Sequence, residues 1–273
     1  MAGRRAARDA ITREQWAAHV ESLARDRTDQ GAADGGSADS GSAHTGPTTG
    51  DPTDGAGRGS RRGRERLTAE RIVSAALDTI QTTGFEDLTM RSVATVLDTG
   101  PASLYAHVRN KAELGDLLIG ELCSRVRLPA PDPAHWQEQF LDVCTQLRDQ
   151  FLTYPGVARA ALAVVPADLG TLRLAEAMLA VLRAGGVPAQ TAAWAADTAF
   201  LYVTAYCLEA ADAQRQHADV DGDVIDAAEI AERLRMLPPD QFPHTVALAQ
   251  QLTAGSGHDR FDFALGLLVR GLR

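Results

Sequence analysis

The sequence predicts an all-α protein, and three observations lead to this fold class. From Leu67 to the C-terminus, apolar residues recur at helical spacing, and no segment shows the strict alternation of a half-buried strand. Capping residues such as Thr and Asn precede several of these segments, and Gly or Pro follows them. The length of 273 residues allows one long or two ordinary domains with a sizeable core.

The first 60 residues differ in composition from the rest. In residues 1–30, Thr12 and Gln15 have the spacing of a capping box and predict a short helix, which is either a docking element or marginal in solution. One face of this helix carries Trp16, Val20 and Leu23. Residues 31–60 are almost wholly Gly, Ser, Thr, Asp, Ala and Pro, and they bury too little apolar surface to order, so they predict a disordered linker.

Four helices are predicted between residues 67 and 127. Their first residues are marked by Thr68, by Thr89, by Gly100 with Pro101, and by Asn110 with Glu113. The first helix ends at Gly84, and the fourth ends before Pro129. Further helices are predicted at about 133–154, 156–165, 168–184, 188–214, 225–237, 242–252 and 258–272.

The net charge is −9, from 27 Lys and Arg against 36 Asp and Glu, which excludes a protein that holds nucleic acid by bulk positive charge. The charge is uneven: residues 58–127 carry eleven cations and nine acids, whereas residues 128–273 carry ten and eighteen. Lys111 is the only lysine. An arginine cluster precedes the first helix of this basic segment, and it is either a solvated linker end or an arm for DNA. Its members are Arg58, Arg61, Arg62, Arg64 and Arg66.

Several classes of protein are excluded. Three widely spaced cysteines form neither a disulfide framework nor a metal cluster, and no segment is apolar enough for a signal peptide or a membrane span, so we expect a cytoplasmic protein with no membrane partner. The acidic run 219–223 fails as a calcium loop because Val224 and Ile230 occupy its sixth and twelfth positions. With no phosphate loop, nucleophile elbow or paired metal-ligand helix, we expect no enzyme, no metal and no cofactor.

The segment 88–111, LTMRSVATVLDTGPASLYAHVRNK, predicts a helix-turn-helix whose second helix can enter a major groove. Small residues at the start of that helix let its backbone approach base edges, and hydrogen-bonding side chains beside it can reach phosphates. The small residues are Pro101, Ala102 and Ser103, and the flanking groups are Thr89, Tyr105 and His107.

Lys111 stands in the first turn of the fourth helix, where the helix dipole disfavours a cation. A phosphate docked at this helix N-terminus would reverse that effect. We therefore predict a functional role for Lys111, the alternative being an ordinary solvated surface lysine.

Residues 67–127 resemble the DNA-binding domain of the tetracycline-repressor (TetR) family. The run LYAHVRNK at 104–111 is similar to the family's pattern, and TMRSVATVL is similar to its preceding helix. The resemblance implies that Arg91 and the start of the third helix read bases. It also implies that the backbone is held by Thr89, Tyr105, His107 and Lys111. Asp98 stands where the family usually has Gly, and Ala106 where many relatives have a large or charged residue.

The C-terminal part resembles the tetracycline-repressor type of effector domain, on the run FPHTVALAQQLTAGSGHDRFDFALGLLVRGL. The resemblance implies a homodimer held by a four-helix bundle, for which we expect helices 188–214 and 259–272. Aromatic and soft side chains predict a pocket for a hydrophobic or aromatic effector, although each alone also fits a plain core. They are Trp136, Phe140, Phe151, Tyr154, Met178, Trp194, Phe200, Tyr202 and Tyr206. His135 and His217 are either polar contacts of that pocket or structural groups.

Together these features predict four parts: a short helix at 1–30, a linker at 31–60, a helix-turn-helix domain with an arginine arm at 61–127, and a helical effector and dimerisation domain at 128–273. The predicted function is a ligand-responsive repressor that binds a palindromic operator as a homodimer and is released when an effector moves the fourth helix. Two alternatives stay open: an activator of the same fold, and a helical ligand-binding or catalytic protein with a structural helix-turn-helix.

Overall fold

A computed structural model describes residues 66–162, 168–219, 227–255 and 257–272. All regular structure in these residues is helical, in twelve helices. The helices are α1 (Ala69–Thr83), α2 (Met90–Val96), α3 (Pro101–Leu104), α4 (Lys111–Ser124), α5 (Trp136–Thr153), α6 (Ala158–Ala161), α7 (Leu169–Ala184), α8 (Ala189–Asp219), α9 (Ala227–Arg235), α10 (Pro243–Ala247), α11 (Ala249–Leu252) and α12 (Asp259–Arg270). The predicted helix at 1–30, the linker, Arg64 and most of the acidic run 219–223 lie outside the described residues, as does the side chain of His217. Thr68–Arg273 forms one compact unit.

The starts of α1, α2 and α4 have the caps that the sequence predicts. The Thr68 hydroxyl accepts a hydrogen bond from the backbone N–H of Arg71, and Asn110 Oδ1 accepts one from Glu113 N at 2.9 Å. Thr89 and Ser92 form a reciprocal capping box at α2. These bonds satisfy N–H groups that the first turn of a helix leaves without partners.

The turn between α2 and α3 forms despite its unusual residue. Asp98 has φ 48° and is the only non-glycine residue with positive φ among the described residues. Aspartate tolerates this left-handed conformation better than most residues, as expected from the sequence. The helix α3 is shorter than the motif suggests, although the hydrogen bond from Val108 N to Leu104 O (2.9 Å) continues a helical turn beyond its end.

We call α1–α3 the head and α5–α12 the body, with α4 joining them. The head closes over its own small core, which contains Val93, Leu104 and Val108, all fully buried. In the body, α5, α7, α8 and α12 enclose a second core that contains Phe140, Phe151 and Phe261.

The helices α4 and α7 cross closely because both carry glycine at the contact. A Cβ built on Gly170 would stand 2.0 Å from the carbonyl oxygen of Gly120, and one on Gly120 would stand 2.0 Å from Asp168 Oδ1. Asp168 is the N-cap of α7, and its carboxylate accepts a hydrogen bond from Gly170 N at 2.7 Å. A larger residue at Gly170 would require the helices to separate, and one at Gly120 would displace the Asp168 side chain.

Three helices differ from their predicted extents. The predicted helix 156–165 is only Ala158–Ala161 within the described residues, and α8 extends beyond 214 to Asp219. The predicted helix 242–252 is broken at Leu248 (φ −106°, ψ 13°) into α10 and α11. The apolar pattern continues through this break, so the pattern alone did not reveal it.

Candidate functional site

The α2–α3 unit has a buried face and an exposed face. Val93, Ala94, Leu104 and Val108 are fully buried, and they anchor both helices in the head. The residues predicted to contact DNA are exposed: Thr89, Arg91, Pro101, Ala102, Ser103, Tyr105 and His107. Tyr105 is 52% exposed although it is a large aromatic residue. This unit therefore presents polar, basic and small side chains to solvent.

The backbone at the start of α3 is accessible from solvent. A Cβ added to Gly100, the N-cap of α3, would meet no atom within 4 Å, and Pro101, Ala102 and Ser103 carry only short side chains. Such a surface lets a partner approach the backbone closely.

Thr89 has a structural role as well as a predicted contact. Its hydroxyl accepts a hydrogen bond from Ser92 N at 3.0 Å, and Ser92 Oγ accepts one from Thr89 N at 3.0 Å. The side chain is still exposed, so the cap does not bury the hydroxyl.

Lys111 is not an ordinary solvated lysine. Its ammonium donates hydrogen bonds to the carbonyl oxygens of Phe85 and Glu86, both at 2.9 Å, and lies 4.8 Å from the centroid of the Phe85 ring. Burial lowers the pKa of the Lys111 ammonium, and the carboxylates of Glu86 and Asp87 oppose that shift. Two carbonyls occupy two of its three N–H donors, which leaves one for a phosphate. The sequence did not reveal these partners because they lie 25 and 26 residues earlier.

The loop that holds these carbonyls also contacts the body. Phe85 N donates a hydrogen bond at 2.9 Å to the carbonyl oxygen of Pro155, which lies in the turn between α5 and α6. The carboxylate of Glu86 pairs with Arg159 of α6 and lies 3.7 Å from Arg215 Nη2 of α8. Sequence reasoning assigned no role to Glu86, Arg159 or Arg215.

An apolar cavity of about 230 Å³ lies between α7 and α8. It is lined by Thr171, Leu174, Ala175, Met178, Leu179, Ala193, Ala196, Asp197 and Phe200. Of the nine aromatic or soft residues that the sequence suggested, only Met178 and Phe200 line it. The other lining residues could have been found from a stripe of small and apolar residues at helical spacing on each helix.

The remaining seven suggested residues lie elsewhere. Phe140 and Phe151 belong to the core, and Tyr154 accepts a hydrogen bond from Arg125 Nη1 at 2.7 Å. Trp136 covers Gly185, where a Cβ would stand 2.3 Å from the indole ring, and Trp194 is 69% exposed. The Tyr202 hydroxyl donates a hydrogen bond to Arg260 O of α12, and the Tyr206 hydroxyl bonds to Gly257 O and His258 Nδ1 just before α12. His135 is exposed and pairs with Asp132 at 2.9 Å.

A larger cleft of about 380 Å³ lies between α1, α4 and α7. Its walls include the charged residues Glu70, Glu121, Arg125, Asp168 and Arg173. A wall of mixed charges suits a hydrophobic effector less well than the cavity between α7 and α8.

The helices α8 and α12 pack against each other and expose apolar side chains. Phe261 of α12 stacks on Tyr202 with ring centroids 5.6 Å apart. On the outside, Trp194, Leu201, Phe263 and Leu267 are exposed, and Phe263 is 63% exposed.

Two negative results concern the described residues only. None of their helices is long and apolar enough to cross a membrane. They also contain no group of three or more His, Cys, Asp or Glu side chains that could hold a metal ion.

A helix-turn-helix head joined to a helical body with an apolar cavity defines a ligand-responsive, DNA-binding transcriptional regulator. Residues 72–116 match the model of bacterial regulatory proteins of the tetR family, and residues 128–273 match that of the tetracyclin repressor-like C-terminal domain. The chain belongs to the TetR family of transcriptional regulators. The fold class, family and regulatory function predicted from the sequence are thus confirmed.

Relatives and solved structures agree with this membership. A helix-turn-helix transcriptional regulator of Saccharopolyspora erythraea is 30% identical over 208 residues, which cover 76% of this chain and 84% of that protein. The class D tetracycline repressor of Escherichia coli is 27% identical over 76% of this chain and 89% of its own length. The crystal structure of Streptomyces coelicolor ActR in complex with actinorhodin is similar with a TM-score of 0.68 and 36% identity, and it covers 76% of this chain and 96% of that one.

Proposed function

We propose that this chain is an effector-responsive repressor that binds a palindromic operator as a homodimer through its α2–α3 unit. The observation that carries the proposal is the exposed face of that unit, where side chains able to hydrogen-bond to bases and phosphates surround an accessible backbone. Its activity is regulation rather than catalysis.

In this proposal, α3 enters the major groove and Arg91 with Pro101, Ala102 and Ser103 faces the base edges. Short side chains there bring the α3 backbone close to the bases. Thr89, Tyr105 and His107 donate hydrogen bonds to phosphate oxygens on either side, which fixes the register without reading sequence.

Lys111 contributes to DNA binding in two ways. Its remaining N–H reaches a phosphate, and its bonds to Phe85 and Glu86 hold the start of α4 against the α1–α2 loop. Arg64 and Arg66 extend the contact along the backbone or into the minor groove, so deletion of residues 1–66 lowers operator affinity and flattens its salt dependence.

We infer that the dimer forms through α8 and α12. Exposed Trp194, Leu201, Phe263 and Leu267 form an apolar surface of the kind that protein interfaces cover. A twofold axis there pairs two heads, which read half-sites about 10 base pairs apart. Substitution of Phe263 by Asp then yields a monomer in sedimentation experiments, whereas the same change at exposed Met236 of the α9–α10 connection leaves the dimer intact.

The effector occupies the cavity between α7 and α8. Its lining of Leu174, Met178, Leu179 and Phe200 favours a hydrophobic or aromatic molecule. Because α7 at Gly170 packs directly against the backbone carbonyl of Gly120 in α4, a displacement of α7 moves α4 and with it the head. Effector and operator are then coupled through a two-state element.

DNA binding is tested by fluorescence anisotropy with DNA from upstream of the chain's own gene. Arg91→Ala weakens binding roughly 5- to 150-fold, from the loss of a base contact of roughly 1–3 kcal/mol. Arg233→Ala, which removes an exposed arginine of α9, is the matched control and leaves affinity unchanged. No specific binding by a folded dimer would refute the proposal.

Effector binding is tested by thermal shift with a panel of hydrophobic compounds that includes actinorhodin. A compound that binds only the folded protein raises its melting temperature. Ala196→Trp fills the cavity and removes that rise while operator binding is kept, and Gln190→Trp, at an exposed position of α8 outside the cavity, keeps the rise. An equal rise in both variants would place the effector elsewhere.

A further inference from the structure

A second connection between head and body exists beside the covalent one through α4. It joins the α1–α2 loop to the turn between α5 and α6. Phe85, which is buried, donates its backbone N–H to Pro155 O at 2.9 Å. Each loop contains a glycine with positive φ, Gly84 at 80° and Gly156 at 78°. A Cβ on Gly156 would lie 3.2 Å from Arg215 Nη2 and 3.5 Å from Phe85 Cβ, so the two loops and α8 pack in contact at this point.

Four charged side chains surround this crossing, and we call them the clasp: Glu86, Arg159, Asp212 and Arg215. Glu86 of the head contacts both arginines, as described above. Asp212 Oδ1 of α8 lies 3.5 Å from Arg159 Nη2 and 3.7 Å from Arg215 Nη2. Each acid therefore faces both arginines, and the head supplies only one of the four groups.

The clasp and α4 meet on one loop. Lys111, the first residue of α4, holds the carbonyl oxygens of Phe85 and Glu86. The position of the Glu86 backbone is therefore set by α4, while its carboxylate is held by α6 and α8. Attachment at two points restricts the rotation that a head joined by α4 alone would retain.

We propose that Glu86 and Arg159 are positioning residues for operator recognition, because the clasp fixes the orientation in which the body presents the α2–α3 unit. This inference rests on the proposed function, since a fixed orientation matters most where two heads must engage two half-sites together. A broad range of head orientations lowers the fraction of dimers able to bind both half-sites, and apparent affinity falls with that fraction.

The sign of the effect separates this role from direct electrostatics. Glu86→Gln removes a negative charge from a DNA-binding head, and the electrostatic field alone would then strengthen binding to phosphates. The clasp predicts the opposite result. Asp87→Asn is the matched control, because it removes the same charge from the same loop and both carboxylates act on Lys111, whereas only Glu86 lies within ion-pair distance of Arg159 and Arg215.

The orientation of the head is measured directly by the distance between two spin labels in one chain. Labels are attached to cysteines introduced at exposed Ala106 of the head and exposed Gln190 of α8, and labelled chains are diluted in unlabelled protein. The native Cys123, Cys144 and Cys207 are at most 2% exposed and do not compete for label. Glu86→Gln and Arg159→Gln each widen the distance distribution, whereas Arg159→Lys and Asp87→Asn keep the width of the parent protein.

Operator binding gives the second measurement. Glu86→Gln weakens binding to a palindromic site by up to about fivefold, the upper end for exposed ion pairs, and does not weaken binding to a single half-site. Salt lowers the operator affinity of both proteins, and high salt narrows the difference between the parent protein and Glu86→Gln because it screens the clasp. Thermal unfolding verifies that both glutamine variants are folded, and Arg159→Gln tests the clasp from the body side if Glu86→Gln is unstable.

Two results would overturn the inference: a distance distribution in both glutamine variants as narrow as that of Asp87→Asn, or palindrome binding that strengthens or stays constant. Failure of the proposed function looks different. In that case the parent protein binds no specific operator, while the spin-label distances still report whether the clasp orients the head.

Discussion

The close approach of α4 and α7 at Gly120 and Gly170 predicts that a single added methyl group lowers stability strongly. In Gly170→Ala, the new Cβ would lie 2.0 Å from the Gly120 carbonyl oxygen, about 1.4 Å short of the 3.4 Å at which ordinary van der Waals contact begins. That neighbour is backbone of α4 and cannot rotate away, so the helices must separate. We expect Gly170→Ala to lower the free energy of unfolding by about 3 kcal/mol.

Two further alanine variants calibrate this result. In Gly120→Ala the new Cβ meets the Asp168 side chain, which can turn away with the loss of the α7 cap, so we expect a smaller loss of about 2 kcal/mol. Gly100→Ala, which meets no atom within 4 Å, should stay within about 0.5 kcal/mol of the parent protein. Urea unfolding with unchanged slopes gives the three values. A loss in Gly170→Ala no larger than in Gly100→Ala would refute the reasoning.

Further predictions concern the three cysteines, Asp98 and Lys111. Burial raises the pKa of the thiols of Cys123, Cys144 and Cys207 to about 12, so a thiol reagent at pH 8 should label the native protein slowly and the unfolded protein at once. Because the folded pKa is raised, their contribution to stability is complete below about pH 9 and is lost as the pH rises further, which unfolding curves at pH 8 and 10 would reveal. Asp98→Val should cost about 1–2 kcal/mol because φ is 48°, whereas Asp98→Gly should cost less than Asp98→Val, and equal values from thermal unfolding would contradict this. Lys111→Met keeps the aliphatic stem but loses two hydrogen bonds to carbonyls, so it should destabilise by about 1–3 kcal/mol in urea, and a neutral result would show that these bonds contribute nothing.

Local features of the head were predictable because their partners lie within a few residues. The caps at Thr68, Thr89 and Asn110 each join groups three positions apart. The left-handed Asp98 follows from the motif, which places a turn at that residue. Capping and turn geometry depend on the chain immediately around them, so the sequence carries the whole signal.

The lining of the cavity between α7 and α8 was predicted only at Met178 and Phe200, because aromatic residues fill space as readily as they line it. Phe140 and Phe151 are enclosed by neighbouring helices, whereas the cavity forms where Ala175, Ala193 and Ala196 leave room. A cavity forms where the side chains of the opposing helix are too small to fill the space. The packing of α7 against α8 therefore decides where the cavity lies.

The sequence by itself determined the helical fold, the helix-turn-helix and the exposed side chains that we propose bind DNA, because periodicity, caps and a compact motif are local signals. Tertiary structure alone decided the partners of Lys111, the glycine crossing of α4 with α7 and the meeting of Glu86 with Arg159 and Arg215. These contacts join residues 25 to well over 100 positions apart. No spacing rule specifies such pairs, since they exist only after the helices have packed against one another.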